Sequence, residues 1–286
     1  MQVLATGFGL VESPRWHDGR LWFADWIAGE IRVLIDARDT DVVVRHTSLP
    51  LCFDFLPDGT MLVVSGPQQA LLRADEGGTL HTYCDLSAVS PFGFNDIVVD
   101  GRGNAYVNTP NFDMAAGPPS GDTAPGIIVL APADGGEAHI VADDLAFPNG
   151  MAVTPDNSTL IVAESYRNQL SAFGIHDDGA LGSRRVFAHL GEDAPDGICI
   201  DAEGAVWYAD VPHQRCVRVR DGGEVANTVE LDRGGFACML GGSDGRTLYI
   251  VAARWPGMQA LEGAVWDGQV LSAPAPASRA GWPGDA

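Results

Sequence analysis

Short runs of apolar residues recur along the chain between polar, turn-forming clusters. The clearest are RLWFADW, TMLVVSG, NAYVNTP, TLIVAES, AVWYADV and TLYIVAA. Most are rich in β-branched and aromatic residues and all are too short for helices, so the pattern predicts strands. Each run follows a turn signal: Asp18-Gly19, Asp58-Gly59, Arg102-Gly103, Asp156-Asn157, Glu203-Gly204 and Asp244-Gly245. In such hairpin turns Gly or Asn takes a positive φ at little cost. Successive turns lie 40, 44, 54, 47 and 41 residues apart. A period of that length, with several short strands in each unit, predicts an all-β fold: a six-bladed β-propeller with one blade per turn. No amphipathic helical stretch and no linker interrupts the repeats. Residues 1–286 are therefore expected to form a single domain, with about 273–286 as a loose tail.

A strand also precedes each turn: ESPRWH, LCFDFLP, NDIVVDG, NGMAVTP, DGICIDA and ACMLGGS. If each turn joins the first two strands of a blade, these are the innermost strands and line the channel. Counting back seven residues from each turn gives Leu51, Asn95, Asn149, Asp196 and Ala237; the first turn is one residue shorter and gives Glu12. Equivalent positions form a ring at one end of the channel, and here four of the six carry side-chain oxygens. Two carboxylates brought together need a counter-charge, because burial and like charge both disfavour ionisation. A hard divalent cation supplies it and leaves positions for water or substrate. Asn149-Gly150 and Asp196-Gly197 also read as hairpin-turn pairs, but that reading leaves Glu12 and the shared register unexplained. The next strand of several blades ends in Asp25, Asn108, Glu164 or Asp210, which read as ordinary strand-end polar residues or as hydrogen-bond partners of the ring.

The charge narrows the partners. Seventeen basic and 38 acidic residues give a net charge of −21, which repels nucleic-acid backbones and anionic membranes. The five cysteines are dispersed and form no CxxC pair, which fits small apolar residues in a reducing compartment. The opening segment has no basic stretch followed by a long apolar core, and no apolar run reaches membrane-spanning length; a soluble, cytoplasmic protein is expected. The Gly- and Pro-rich stretch 111–126 reads either as a surface insertion or as a lid over the channel mouth. There is no G-x-S-x-G elbow and no HExxH pair. His213 and Arg254 each follow a strand end and fit either the mouth or an exposed loop.

GLVESPRW, FGFNDIVVDGRGNAYVN, FPNGMAVTPDNSTLIVAES, APDGICIDAEGAVWYAD and ACMLGGSDGRTLYIVAAR, spread over residues 9–254, resemble the senescence marker protein-30/gluconolactonase/luciferin-regenerating-enzyme family. The resemblance implies a six-bladed propeller with one divalent metal ion in its channel. It assigns Glu12, Asn149 and Asp196 as protein ligands, Asp196 also as general base, and Asn95 as a substrate contact beside the metal. Calcium is the first candidate, with magnesium, manganese, iron and zinc also possible. Sugar-lactone members often carry Arg two residues before that Asn; this chain has Gly93. Losing the guanidinium removes a fork of donors for substrate hydroxyls. The expected activity is therefore hydrolysis of a lactone less polar than an aldonolactone, with Phe94, Phe147 and Trp26 as apolar wall and Arg254 as a further substrate contact. Organophosphate or ester hydrolysis, a Lewis-acid isomerase or lyase step, and a binding propeller with a structural ion remain alternatives. A small-molecule substrate is the expected partner, and the sequence leaves the oligomeric state open.

Overall fold

The computed structural model describes residues 1–36, 39–114, 116–117, 124–257 and 265–281. Strand β1 (Gln2–Phe8) is followed by four strands forming blade one: β2 (Val11–His17), β3 (Arg20–Asp25), β4 (Glu30–Asp36) and β5 (Asp39–Arg45). Blade two is β6 (Phe53–Phe55), β7 (Met61–Ser65), β8 (Ala70–Ala74) and β9 (Leu80–Asp85). Blade three is β10 (Ile97–Val99), β11 (Ala105–Thr109), β12 (Gly126–Ala131) and β13 (His139–Leu145). Blade four is β14 (Pro148–Val153), β15 (Thr159–Glu164), β16 (Gln169–Gly174) and β17 (Arg185–His189). Blade five is β18 (Pro195–Ile200), β19 (Val206–Asp210), β20 (Arg215–Val219) and β21 (Val225–Glu230). Blade six contains β22 (Gly234–Gly241), β23 (Thr247–Ala253) and β24 (Gly268–Pro274), and β1 supplies its outermost strand.

Each blade is a four-stranded antiparallel meander. All six predicted turns join the first and second strands of a blade. Gly19, Gly59, Gly103, Asn157, Gly204 and Gly245 there have φ between 58° and 89°, the left-handed conformation that the Gly and Asn signals anticipated. The innermost strands β2, β6, β10, β14, β18 and β22 contact one another in that order, and β22 returns to β2. Pairing of β1 with β24 joins the two chain ends within one sheet, so the ring is fastened by backbone hydrogen bonds.

The core lies between the blades. Facing sheets bury clusters such as Ile161, Phe187, Ile198 and Tyr208 between blades four and five, and Phe53, Val63 and Leu72 between blades one and two. Second strands are continuous apolar runs because both of their faces are covered; every residue of β19 (VWYAD) is buried. The segment expected to be loose from residue 273 differs from that expectation. Strand β24 continues to Pro274, Ala275 and Ala277 are buried, and Arg279 bridges to Asp201 of blade five. Its small residues pack under the turns, which composition alone did not reveal. Within 111–126, residues 115 and 118–123 lie outside the described residues, as does 282–286 at the end. No helix among the described residues is long and apolar enough to cross a membrane.

Candidate active site

Irregularities in the innermost strands aim the ring residues into the channel. The ladder to the second strand slips between Glu12 and Arg15, between Pro148 and Met151, and between Pro195 and Ile198. Such bulges bend a strand and redirect its side chains. Ser13, inside the first, holds a φ of 50°. Asn149-Gly150 and Asp196-Gly197 are thus parts of bulged strands and not hairpin turns. The glycines serve close approach. A Cβ on Gly150 would lie 2.6 Å from the Asp196 carbonyl oxygen, and one on Gly197 would lie 2.2 Å from the Ala237 Cβ. Blades four, five and six close in at these points and carry their polar neighbours inward.

Asn95, Asn149 and Asp196 form one hydrogen-bonded arc. Asn95 Nδ2 donates to Asn149 Oδ1 at 3.2 Å and to the Pro148 carbonyl at 3.3 Å. Asn149 bonds to the Asp196 carboxylate, while its Nδ2 lies 3.3 Å from Ser165 Oγ. Ser165 in turn donates to the Pro195 carbonyl at 2.7 Å, tying blade four to the entry of blade five. Glu12 faces the arc from blade one and is 7% exposed; the Ser13 amide donates to its carboxylate. Leu51 and Ala237 complete the ring as buried apolar positions on either side of Glu12.

Both carboxylates are disfavoured in their charged form. Burial pushes Glu12 up to about 8, with the nearby Asp96 charge adding to it. Asp196 is raised well above the usual carboxylate range, first by burial and then by the Glu12 and Asp96 charges. Among the described residues, neither is ion-paired with a cationic side chain. Two carboxylates and amide oxygens converge with Arg15 nearby but already paired to Asp54 and Asp96, a donor set that fits a hard divalent cation. Glu12, Asn149 and Asp196 could hold it, and Asn95 is placed to reach a ligand beside it.

Three residues further along each innermost strand lies a second layer of the channel, comprising Arg15, Asp54, Val98, Ala152, Cys199 and Leu240. Arg15 Nε is 3.3 Å from Asp54 Oδ1, and Arg15 Nη2 is 3.3 Å from Asp96 Oδ1 and 2.6 Å from the Ile97 carbonyl. The Met151 amide reaches Asp96 Oδ2 at 3.2 Å. Blades one to four are therefore joined directly beneath the ring. The count that located the ring finds Arg15 and Asp54 when advanced by three positions. Below them a cavity of about 690 Å³ opens at the turn end, away from the carboxylates.

The sequence profile of the SMP-30/Gluconolactonase/LRE-like region matches residues 10–254. The chain belongs to this family. It is 29% identical over 260 residues to a 6-deoxy-6-sulfogluconolactonase of Pseudomonas putida, covering 86% of this chain and 84% of the relative. Its fold is shared with a gluconolactonase of Xanthomonas campestris (TM-score 0.75, 22% identity, 94% of this chain and 89% of the other covered). It is also shared with a calcium-binding regucalcin of Agrobacterium tumefaciens (TM-score 0.73, 19% identity, 98% of both chains covered).

Around the SMP-30-like ring, the expected substrate residues separate. Phe147 is half-buried with a φ of 58°; its ring lies 4.5 Å from that of Tyr166 and 6.1 Å from that of Phe112. Trp26 is half-buried and packs against three apolar clusters, those containing Leu10, Leu51 and Phe94, with its buried Nε1 unpartnered. Phe94 is a correction: it is fully buried in the core between blades two and three and does not line the mouth. Neighbours along an extended segment point to opposite sides, so Phe94 turns away where Asn95 turns inward. Arg254 is two-thirds exposed on the rim and pairs with Asp267 at 3.3 Å. Gly93 is exposed, and a Cβ there would meet nothing within 4 Å.

The strand-end acids have a different task. Asp25, Glu164 and Asp210 accept the amides of Gly9, Ala146 and Ala194, which lead into the innermost strands of blades one, four and five. Only Asn108 of that set bonds to a ring residue, donating to the Asn149 carbonyl at 2.6 Å. His213 Nδ1 lies 2.7 Å from Asp210 Oδ2, beside Asp193. Arg215 and the Tyr208 hydroxyl already satisfy Asp193, so this group is an ion-pair network supporting blade five.

Proposed function

We propose that the chain is a divalent-metal-dependent hydrolase that opens a lactone less polar than an aldonolactone. The observation that carries this reading is the convergence of Glu12 and Asp196, both driven above the ordinary carboxylate range, with neither ion-paired to a cationic side chain among the described residues. Family membership and the lactonase names of relatives support the reaction class. Gly93 supports the lower substrate polarity, and the oxygen-only donor set, together with a calcium-binding relative, favours calcium.

When bound, the cation polarises the lactone carbonyl and makes water more acidic. Glu12 and Asn149 hold it in place. The Asp196 carboxylate takes a proton from the attacking water. Asn95 Nδ2, two ring positions from Asp196, gives up its 3.3 Å bond to the Pro148 carbonyl and donates to the substrate carbonyl oxygen as negative charge develops there. The acyl C–O bond then breaks, and the proton held on Asp196 passes to the departing alkoxide, giving the open hydroxy acid. Leu51, Ala237 and Trp26 exclude water from the Glu12 side, which strengthens these interactions.

The test is acid release from a panel of lactones and esters with Asp196→Ala and wild-type protein. Loss of turnover on the order of a hundredfold or more in a folded variant is expected. Wild-type rates in Asp196→Ala would overturn the mechanism, and turnover confined to organophosphates or simple esters would keep the site but change the bond.

A further inference from the structure

The two ends of the propeller differ in what their loops expose. At the ring end, connecting loops carry Ile27, Leu49, Met114, Tyr166 and Val265, exposed by 49, 60, 40, 52 and 90%. At the turn end, the described connections carry none of the exposed large apolar side chains. Met1, Ile35 and Val225 are exposed at strand ends there, but the loops between strands that carry exposed large apolar residues lie at the ring end. Exposed apolar side chains gathered on the loops around one opening are the kind of surface that binds apolar ligands.

These residues encircle the mouth. Tyr166 packs on Phe147, two residues before Asn149. Ile27 lies over Gly9, three residues before Glu12. Leu49 precedes ring position Leu51 by two residues. Met114 follows Phe112, whose ring faces Phe147 at 6.1 Å. Val265 adjoins Trp266, which continues through Trp255 to Phe236, the neighbour of Ala237. Blades six, one, two, three and four thus supply an apolar collar. Blade five, which carries Asp196, breaks it with the Asp193–Asp210–His213 network.

The same loops offer no unpaired cation among the described residues. The chain contains no lysine. Arg167 pairs with Glu164, Arg215 with Asp193, Arg233 with Asp232 and Arg254 with Asp267. An anionic substrate would meet a protein of charge −21 with no unpaired arginine on the described mouth loops.

We infer that the substrate is an uncharged lactone bearing a long apolar substituent, whose ring enters the channel while its hydrocarbon tail lies across the Ile27–Tyr166 collar. This inference rests on the lactonase reading. A collar centred on the mouth fits a ligand that must also reach the ring; the net charge disfavours an anionic membrane as its occupant.

The experiment measures kcat/KM of the calcium-loaded protein for alkyl γ-lactones from γ-butyrolactone to γ-dodecalactone, alongside gluconolactone and a carboxylate-bearing lactone. Calorimetric binding of the matching long-chain γ-lactam, which resists hydrolysis, runs in parallel. The value should rise by roughly twofold to fourfold per methylene, through KM, over the length the collar covers. Tyr166→Ser combined with Ile27→Ser should flatten that rise and weaken lactam binding. Turnover independent of chain length, or preference for gluconolactone or the charged lactone, would overturn the inference and leave the hydrolase reading intact. Tight lactam binding without turnover of any lactone would overturn the hydrolase reading and keep the apolar specificity. Self-association abolished by the double variant, with flat turnover, would reassign the collar to a protein partner and overturn the inference.

Discussion

Position 93 is where the family resemblance sets this chain apart, with Gly93 where sugar-lactone members often carry Arg. Gly93 has open space around it and no positive φ, so a side chain there is sterically free. Gly93→Arg should fold normally and place a guanidinium two residues from Asn95. The ratio of kcat/KM for gluconolactone over γ-nonalactone should rise by about tenfold, the worth of one charge-assisted hydrogen bond; an unchanged ratio would contradict the role given to this position. Glu12 makes a second prediction at this scale. Its folded value of about 8 exceeds the ordinary 4.5, so between those values the metal-free folded state retains a proton that the unfolded chain releases. Stability of the chelator-treated protein should therefore fall as pH rises from about 4.5 to 8. Glu12→Gln should flatten that decline, as should saturating calcium, both read by thermal unfolding across the pH range. Residue identity was legible for Glu12, Asn95, Asn149 and Asp196 because a shared register exposed them. Phe94 was misplaced because adjacency to Asn95 in sequence means opposite faces on an extended segment.

Within the blades, each element combines a turn readable in the sequence with a bulge that was not. Asp-Gly and Asp-Asn pairs announce the turns because they require positive φ, and each lies where expected. The bulges at Asn149-Gly150 and Asp196-Gly197 use similar residue pairs for another purpose, the close approach of neighbouring backbones. Local sequence does not distinguish the two uses; the distance to the next blade does. Gly197→Ala should therefore force β18 away from Ala237, cost about 1–3 kcal/mol in denaturant unfolding, and weaken calcium binding measured by calorimetry. Gly174→Ala, at a position with open space, is the control and should leave both unchanged. Equal effects of the two substitutions would refute the close-approach account. The Arg15–Asp54–Asp96 group escaped notice for a related reason: its members lie on different blades, and the three-residue advance along each inner strand finds Arg15 and Asp54 while Asp96 directly follows ring position Asn95.

At the scale of the molecule, closure is the feature that the sequence concealed most fully. The repeat spacing counts blades, but pairing of β1 with β24 is a contact between chain ends that no local pattern encodes. Closure matters to the site because Glu12 and Asp196 come from blades separated by blade six, whose outer strand is β1. Packing of Ala275 and the Asp201–Arg279 bridge fasten the segment after β24 to blade five at the turn end. The assembled channel thus holds two carboxylates at one end, an arginine plug beneath them and an apolar collar above. The most direct test is the rate of lactone hydrolysis by chelator-stripped protein as calcium, magnesium, manganese, iron(II) or zinc is added back, with binding stoichiometry measured in parallel. The account predicts negligible rate without metal and restoration as one cation binds per chain, with Glu12→Gln and Asp196→Ala failing to recover. Full turnover in the stripped protein, or one bound cation that leaves every lactone untouched, would contradict it.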